Sequence, residues 1–413
     1  MIKTITNTTF TLGIISVLNF VLVTLVFREL GKSGTADMGL IVLGISFIVM
    51  ISNIIGGSAL VYLTSRESNF TLLIITYLWA VLSTIFMGII LYGLELVPID
   101  YIWWIVVIGF LECIFSIHNQ LFIGKEDLKS HNFLKLFQKI IQLILFVLVE
   151  ISLDNFVFSL LISYFIVLSV SFAYTYKRLD SYAVVEPKSL LKKAFRFGFQ
   201  VQTSNIIQML NYRLLYFIIE KTMGSVLGLF IVAVQLSEAL WIPSKALSII
   251  QYGKVSNERE EKNKSGLSLQ FLKLSVIITF ILTCILLLLP NSVFVFFFDE
   301  EIIGVKPIIL SLSIGIMAMA FSQTFAHYFS GKGLYSFLIR GALVGLVTLI
   351  LFGWLLIDLY EIIGAGIATS LVYLTSSMYL GISFIKETKF TLKDFLIKKS
   401  DIVTAINNLK SNS

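Results

Sequence analysis

Charge is scarce in this chain. Asp, Glu, Lys and Arg make up only 14% of its 413 residues, against about 25% in a typical soluble protein. Hydrophobic residues make up 57% and the mean hydropathy is +0.92, which excludes an ordinary soluble domain. Cysteine is nearly absent. Cys113 and Cys284 both lie in apolar runs, so neither a disulfide framework nor a thiolate metal site is expected. Histidine is equally sparse: His118, His131 and His327 do not group with cysteine at ligand spacing. No metal centre or cofactor is expected. The net charge of +6 is not a nucleic-acid signature here, because membrane proteins collect Lys and Arg in their cytoplasmic loops.

What is abundant is apolar sequence in runs of roughly 20 residues, the length a helix needs to cross a bilayer. The fold class that follows is an all-α polytopic membrane protein of about 12 transmembrane helices. The predicted spans are 8–28, 38–62, 70–94, 101–124, 133–153, 156–176, 198–219, 225–250, 268–289, 306–329, 336–357 and 361–385. The stretch "PNSVFVFFFDEEIIGVKP" reads as a short interfacial helix. The first run exceeds a signal-peptide core of ~7–15 residues and reads as a retained span.

Loop charge sets the orientation. With the N-terminus inside, roughly 25 of the 31 basic residues fall on the inner side. Arg28, Lys32, Lys221 and Lys306 fall outside with a set of acids that includes Glu95, Asp100, Asp154, Asp299 and Asp358. Both termini are then cytoplasmic, and the expected location is a bacterial inner membrane.

The longest inner connection contains "EPKSLLKKAFRFGF", in which apolar and basic residues interleave. It reads either as a surface linker or as an amphipathic helix lying on the inner leaflet and joining two six-helix halves. The domain reading is an N-terminal half over 1–176, a linker over 177–197, a C-terminal half over 198–385 and a tail over 386–413. The halves echo one another weakly. An outer turn with glycine precedes Gly39-Leu40 in one and Gly228-Leu229 in the other, as a parallel repeat would have it. Two pseudo-symmetric halves around a central cavity are expected.

Polar residues inside the spans carry the functional reading. In span seven, Gln202, Asn205, Gln208, Tyr212 and Arg213 fall within a sector of about 140°. Asn and Gln there serve either as interhelical glue or as a cavity lining. Arg213 either snorkels outward or faces a polar cavity. In span eight, "VAVQLSEALWIPSKAL" places Glu238 near mid-depth and Lys245 two turns later. Pro243 between them removes a backbone donor and bends the helix. In span four, Glu112, Ser116 and Asn119 form one stripe. Glu238 and Glu112 are the candidate ion-coupling acids, for a proton or sodium ion.

The stretch from Asn211 to Asn257 has an outer Gly turn, then "LSE" followed by Trp-Ile-Pro, and a basic inner end. It resembles the middle of the Wzx-type polysaccharide flippases of the multidrug/oligosaccharidyl-lipid/polysaccharide exporter superfamily. "GAGIATSL" near the C-terminus resembles their last helix. The resemblance implies a carrier, not an enzyme, that moves an undecaprenyl-diphosphate-linked oligosaccharide (an O-antigen or capsule repeat unit) to the outer leaflet by alternating access. Membrane lipid and a polysaccharide polymerase with chain-length machinery are the partners it implies. Arg213 would meet the diphosphate. Gln202, Asn205, Gln208, Tyr212 and Lys245 would line the path. Two other readings compete. A drug or metabolite antiporter of the same superfamily would need a carboxylate-rich cavity. An O-antigen polymerase or ligase would need a large outer loop, and no predicted outer loop much exceeds ~17 residues.

Overall fold

The computed structural model describes residues 2–64, 67–179, 187–257, 260–388 and 390–395. Its helices are α1 (Ile2–Gly56), α2 (Ser58–Thr64), α3 (Asn69–Gly93), α4 (Ile102–Gly124), α5 (Leu128–Val147), α6 (Leu153–Tyr176), α7 (Pro187–Met223), α8 (Val226–Ala239), α9 (Ile242–Asn257), α10 (Glu261–Leu288), α11 (Asn291–Phe298), α12 (Val305–Gly331) and α13 (Tyr335–Thr388). No strand occurs among the described residues. A short helix is present before residue 306, as expected: α11, followed by a short 3-10 turn over Glu300–Ile302.

Two helices are interrupted. Gly31 (φ 66°) divides α1, and Glu361 (φ 51°) divides α13. With α1 and α13 counted as two rods each, and α8 with α9 as one broken rod, twelve rods follow the predicted spans. Gly31 is needed twice over. Its backbone is left-handed, which glycine alone adopts without penalty. A Cβ there would also come within 2.8 Å of the Glu301 carboxylate. That carboxylate accepts the Lys32 backbone N–H at 2.9 Å, capping the second half of α1 from far along the chain.

Seven helices among the described residues are long and apolar enough to cross a membrane. The protein is a multi-pass membrane protein. α5 and α7 fall outside that group because each carries a polar face. In α5 that face is Lys135, Gln138, Lys139 and Gln142, with Gln138 and Gln142 buried. Beyond the first turn, where Lys129 is exposed, the exposed side chains are apolar: Phe133, Ile140, Ile144 and Val147. This is amphipathicity turned inward, the arrangement a helix adopts when lipid surrounds its unit.

The chain forms two compact units. Unit 1 comprises residues 1–206, 223–228 and 297–301. In it α1 packs on α3 and α4, and α6 packs on α4 and α5. Unit 2 comprises residues 207–222, 229–296 and 302–413. In it α12 packs on α9, α10 and α13. Its inner core gathers Leu272, Phe325, Tyr328, Phe329, Leu380 and Phe384. The "GAGIATSL" stretch explains the α12–α13 fit. A Cβ on Gly366 would sit 1.8 Å from Ser311 Oγ, and one on Gly315 would meet Ser370 at 2.7 Å. Small residues here let the two helices approach closely. α7 runs without a break from Pro187 to Met223. The predicted linker residues 187–197 are thus its first turns, and 180–186 lie outside the described residues.

Candidate functional site: an ion pair within unit 2

Glu238 lies in the last turn of α8. The rod then breaks at Leu240 and Trp241, and α9 starts at Ile242 with Pro243 in its first turn. The bend expected from Pro243 is therefore a full break placed just before it. A first-turn proline loses nothing, since its N–H would have no helical partner there.

Across from this break, Arg213 of α7 donates from Nη2 to Glu238 Oε2 at 3.1 Å. Nη1 donates to the Tyr216 hydroxyl, and the guanidinium lies 5.1 Å from the Tyr216 ring centre. Each partner keeps about a quarter of its side chain accessible, 27% for Arg213 and 26% for Glu238. The pair is neither sealed in the core nor free at a surface. The snorkelling alternative for Arg213 is replaced by a specific partner. A lone arginine at the centre of a span costs about 2.5–3.5 kcal/mol on insertion scales, and pairing lowers that cost.

An aromatic wall adjoins the pair. Tyr212, Trp241 and Tyr373 stand with ring centres 5.4–6.1 Å apart. Gln208 hydrogen-bonds Tyr212. Trp241 Nε1 and Ser237 Oγ are buried without a hydrogen-bond partner among the described residues. Such groups are costly unless something polar meets them. The site therefore offers a cation–carboxylate pair, tyrosine hydroxyls and an unengaged indole N–H on one aromatic surface. Nothing in the sequence pointed to Tyr373 or Trp241 as members. Both lie in apolar runs, and Trp241 is marked only as part of the Trp-Ile-Pro motif, which gives it no role of its own.

The other predicted residues are placed differently. Gln202 and Asn205 belong to unit 1. Gln202 is buried and donates to the Met50 carbonyl at 3.1 Å, and Asn205 donates to the Gln202 carbonyl at 3.0 Å. The first contact ties α7 to α1, and the second lies within α7. Lys245 is exposed on α9 and, among the described residues, forms no ion pair. Asn211, which the predicted stripe left out, is buried and donates to the Ala342 carbonyl at 2.9 Å.

Unit 1 holds its own polar cluster. Glu112 is hydrogen-bonded by the Tyr164 hydroxyl, and Lys139 is the cation acting on it most strongly. Lys139 Nζ donates to Gln142 at 3.1 Å, and Gln138 donates to Ser163 Oγ at 3.1 Å. The rest of the predicted stripe is structural. Ser116 donates to Asn53, and Asn119 donates to its own helix at Phe115. Lys139 is the residue sequence reading missed. Its signal was the i, i+3, i+4, i+7 polar pattern within an otherwise apolar run.

No protein-family model matches the chain, and no curated protein does. Solved structures do. The chain resembles the lipid II flippase MurJ in an inward closed conformation, with TM-score 0.73, 15% identity, and 98% of this chain and 93% of that one covered. It resembles the inward-facing conformation of a multidrug resistance transporter of the MATE family, with TM-score 0.70, 12% identity and coverage of 91% and 96%. It also resembles a MOP superfamily transporter from Pyrococcus furiosus, with TM-score 0.69, 15% identity and coverage of 94% and 97%. The chain has the all-helical fold that these MOP superfamily transporters share.

Proposed function

We propose that this protein is a flippase that carries an undecaprenyl-diphosphate-linked oligosaccharide, an O-antigen or capsule repeat unit, from the inner to the outer leaflet by alternating access. The observation that carries the reading is the Arg213–Glu238 pair beside the Tyr212, Trp241 and Tyr373 rings. A diphosphate headgroup takes bidentate hydrogen bonds from a guanidinium. It competes with Glu238 for Arg213, and a Glu238 so released is free to take a proton or a sodium ion. Sugar faces pack on aromatic rings, while their hydroxyls meet the Trp241 N–H and the tyrosine hydroxyls. The fold is shared with a lipid II flippase, a protein whose substrate is also lipid-linked.

One observation favours a second reading, a drug or metabolite antiporter. Glu238 neutralises Arg213, so the site presents no net positive charge to repel an organic cation, and MATE-family transporters share the fold. A deletion in the native host separates the two. The flippase reading expects lipid-linked repeat units to accumulate facing the cytoplasm and surface glycan to be lost. Wild type should restore export, and Arg213→Ala and Glu238→Gln should not. Normal surface glycan together with raised drug sensitivity would establish the antiporter instead. Repeat units that reach the outer face but stay unpolymerised would mark an enzyme of the later steps.

A further inference from the structure

The first turns of α7 carry three stripes, each at i, i+4, i+8. Leu190, Ala194 and Gly198 are buried. Gly198 lies so close to Ile54 that a Cβ would fall 1.7 Å from its carbonyl oxygen. Leu191, Phe195 and Phe199 are 42%, 41% and 50% exposed. Lys188, Lys192 and Arg196 are exposed beside them. At ~100° per residue the basic stripe lies opposite the buried one, and the aromatic stripe flanks it. The face is rigidly held. Phe195 stacks on Phe199 and meets Trp79 edge-on, Phe197 stacks on Tyr62 at 4.5 Å, and Lys193 is bound to Glu67 at 2.7 Å. All of these residues belong to unit 1. Among the described residues, Lys188, Lys192 and Arg196 have no acidic partner.

We infer that this face is a docking surface for the anionic headgroups of inner-leaflet phospholipids. α7 spans ~55 Å at 1.5 Å per residue, well beyond the ~30 Å of hydrocarbon, so its basic end reaches the headgroup layer. Leucine and phenylalanine side chains enter the acyl boundary there, and the cations beside them meet lipid phosphates. The exposed surface of α3 is by contrast apolar, with Leu78, Leu82, Ile85, Phe86 and Ile89 exposed. The juxtaposition of three cations that have no acidic partner among the described residues with three exposed apolar side chains belongs to an interface with anionic lipid. The inference does not depend on what the protein transports.

The test uses the full chain purified in detergent and titrated with phosphatidylglycerol or phosphatidylcholine, with bound lipid counted by native mass spectrometry. Wild type should prefer phosphatidylglycerol, and added salt should weaken the preference. Each basic residue is worth roughly fivefold in affinity, so Lys188→Gln/Lys192→Gln/Arg196→Gln should lose about a hundredfold. Lys188→Arg/Lys192→Arg should keep wild-type affinity, which separates lost charge from lost fold. Undiminished phosphatidylglycerol binding by the triple Gln variant would overturn the inference. So would wild type that shows no headgroup preference and instead co-purifies a protein through this face.

Discussion

Arg213 of α7 and Glu238 in the last turn of α8, twenty-five positions apart in sequence, meet at 3.1 Å just before the break between α8 and α9. The pair explains how unit 2 tolerates both charges inside membrane spans. Each satisfies the other, and Tyr216 shares the guanidinium. It also sets up an asymmetry. Removing one partner strands the other, whereas removing both leaves an apolar pocket of similar shape.

Arg213→Leu should therefore destabilise the protein by about 2–4 kcal/mol, somewhat below the loss for a sealed pair because a quarter of each side chain is accessible. Glu238→Leu should cost a similar amount. The double variant should recover most of the loss, and on the proposed function it should remain unable to support export. Thermal unfolding in detergent, run as a double-mutant cycle beside the export assay, measures both. Additive losses in the double variant would mean that the two charges do not act as a pair.

Much of this architecture is legible in the sequence, because run length alone locates membrane spans. The end of α8 shows where legibility stops. Pro243 announced an interruption, yet the break falls two positions earlier, since proline begins a helix more readily than it bends one. The Arg213–Glu238 contact was not legible. Both residues could be placed by depth, but their meeting depends on the rotation of two helices that only packing fixes. Gln202 shows the same limit. Its side chain is spent on a backbone carbonyl of α1, a partner no periodicity reveals.

Gly366 should resist even a methyl group. The Cβ of Gly366→Ala would lie 1.8 Å from Ser311 Oγ and 3.0 Å from Ser311 Cβ. Overpacking of this kind costs about 1–3 kcal/mol. Ser311→Ala in the same chain removes the nearest atom and should restore part of the stability. Gly13→Ala meets nothing within 4 Å, so as the control it should show only the gain of about 0.5–1 kcal/mol that alanine has over glycine inside a helix. Melting temperatures of the four proteins settle the matter.

Acid should loosen the start of α5. Asp127 caps that helix by accepting from the Ser130 N–H, and it is ion-paired with Arg178. Burial works to raise the Asp127 carboxyl, but the Ser130 and Arg178 hydrogen bonds outweigh it and hold it below the usual carboxylate range. A depressed folded value means that the stabilisation is present above the ordinary carboxylate value and disappears as pH falls through the folded one. Asp127→Asn can still cap the helix. It should be less stable than wild type at neutral pH and should lose less on acidification. Melting curves taken between neutral and strongly acid pH would show the two proteins converging. Parallel curves would remove Asp127 as the source.

Lys139 and Ile140 are neighbours that face opposite environments. Lys139 points to Gln142 and Glu112 inside unit 1, while Ile140 is 38% exposed on the far side of α5. If that far side meets lipid, a charge moved there lies near mid-span with no partner, at about 2.5–3.5 kcal/mol on insertion scales. Ile140→Lys should accumulate poorly in the membrane fraction. Lys139→Gln keeps a polar group toward Gln142, and Lys135 still acts on Glu112, so it should accumulate better than Ile140→Lys. Its stability loss should be the smaller of the two, because the altered side chain stays inside unit 1. Pulse-labelled membrane fractionation compares the three chains directly. Equal accumulation of Ile140→Lys and wild type would mean that the Ile140 face is turned to water or to another chain, and the inward-turned amphipathicity of α5 would need another cause.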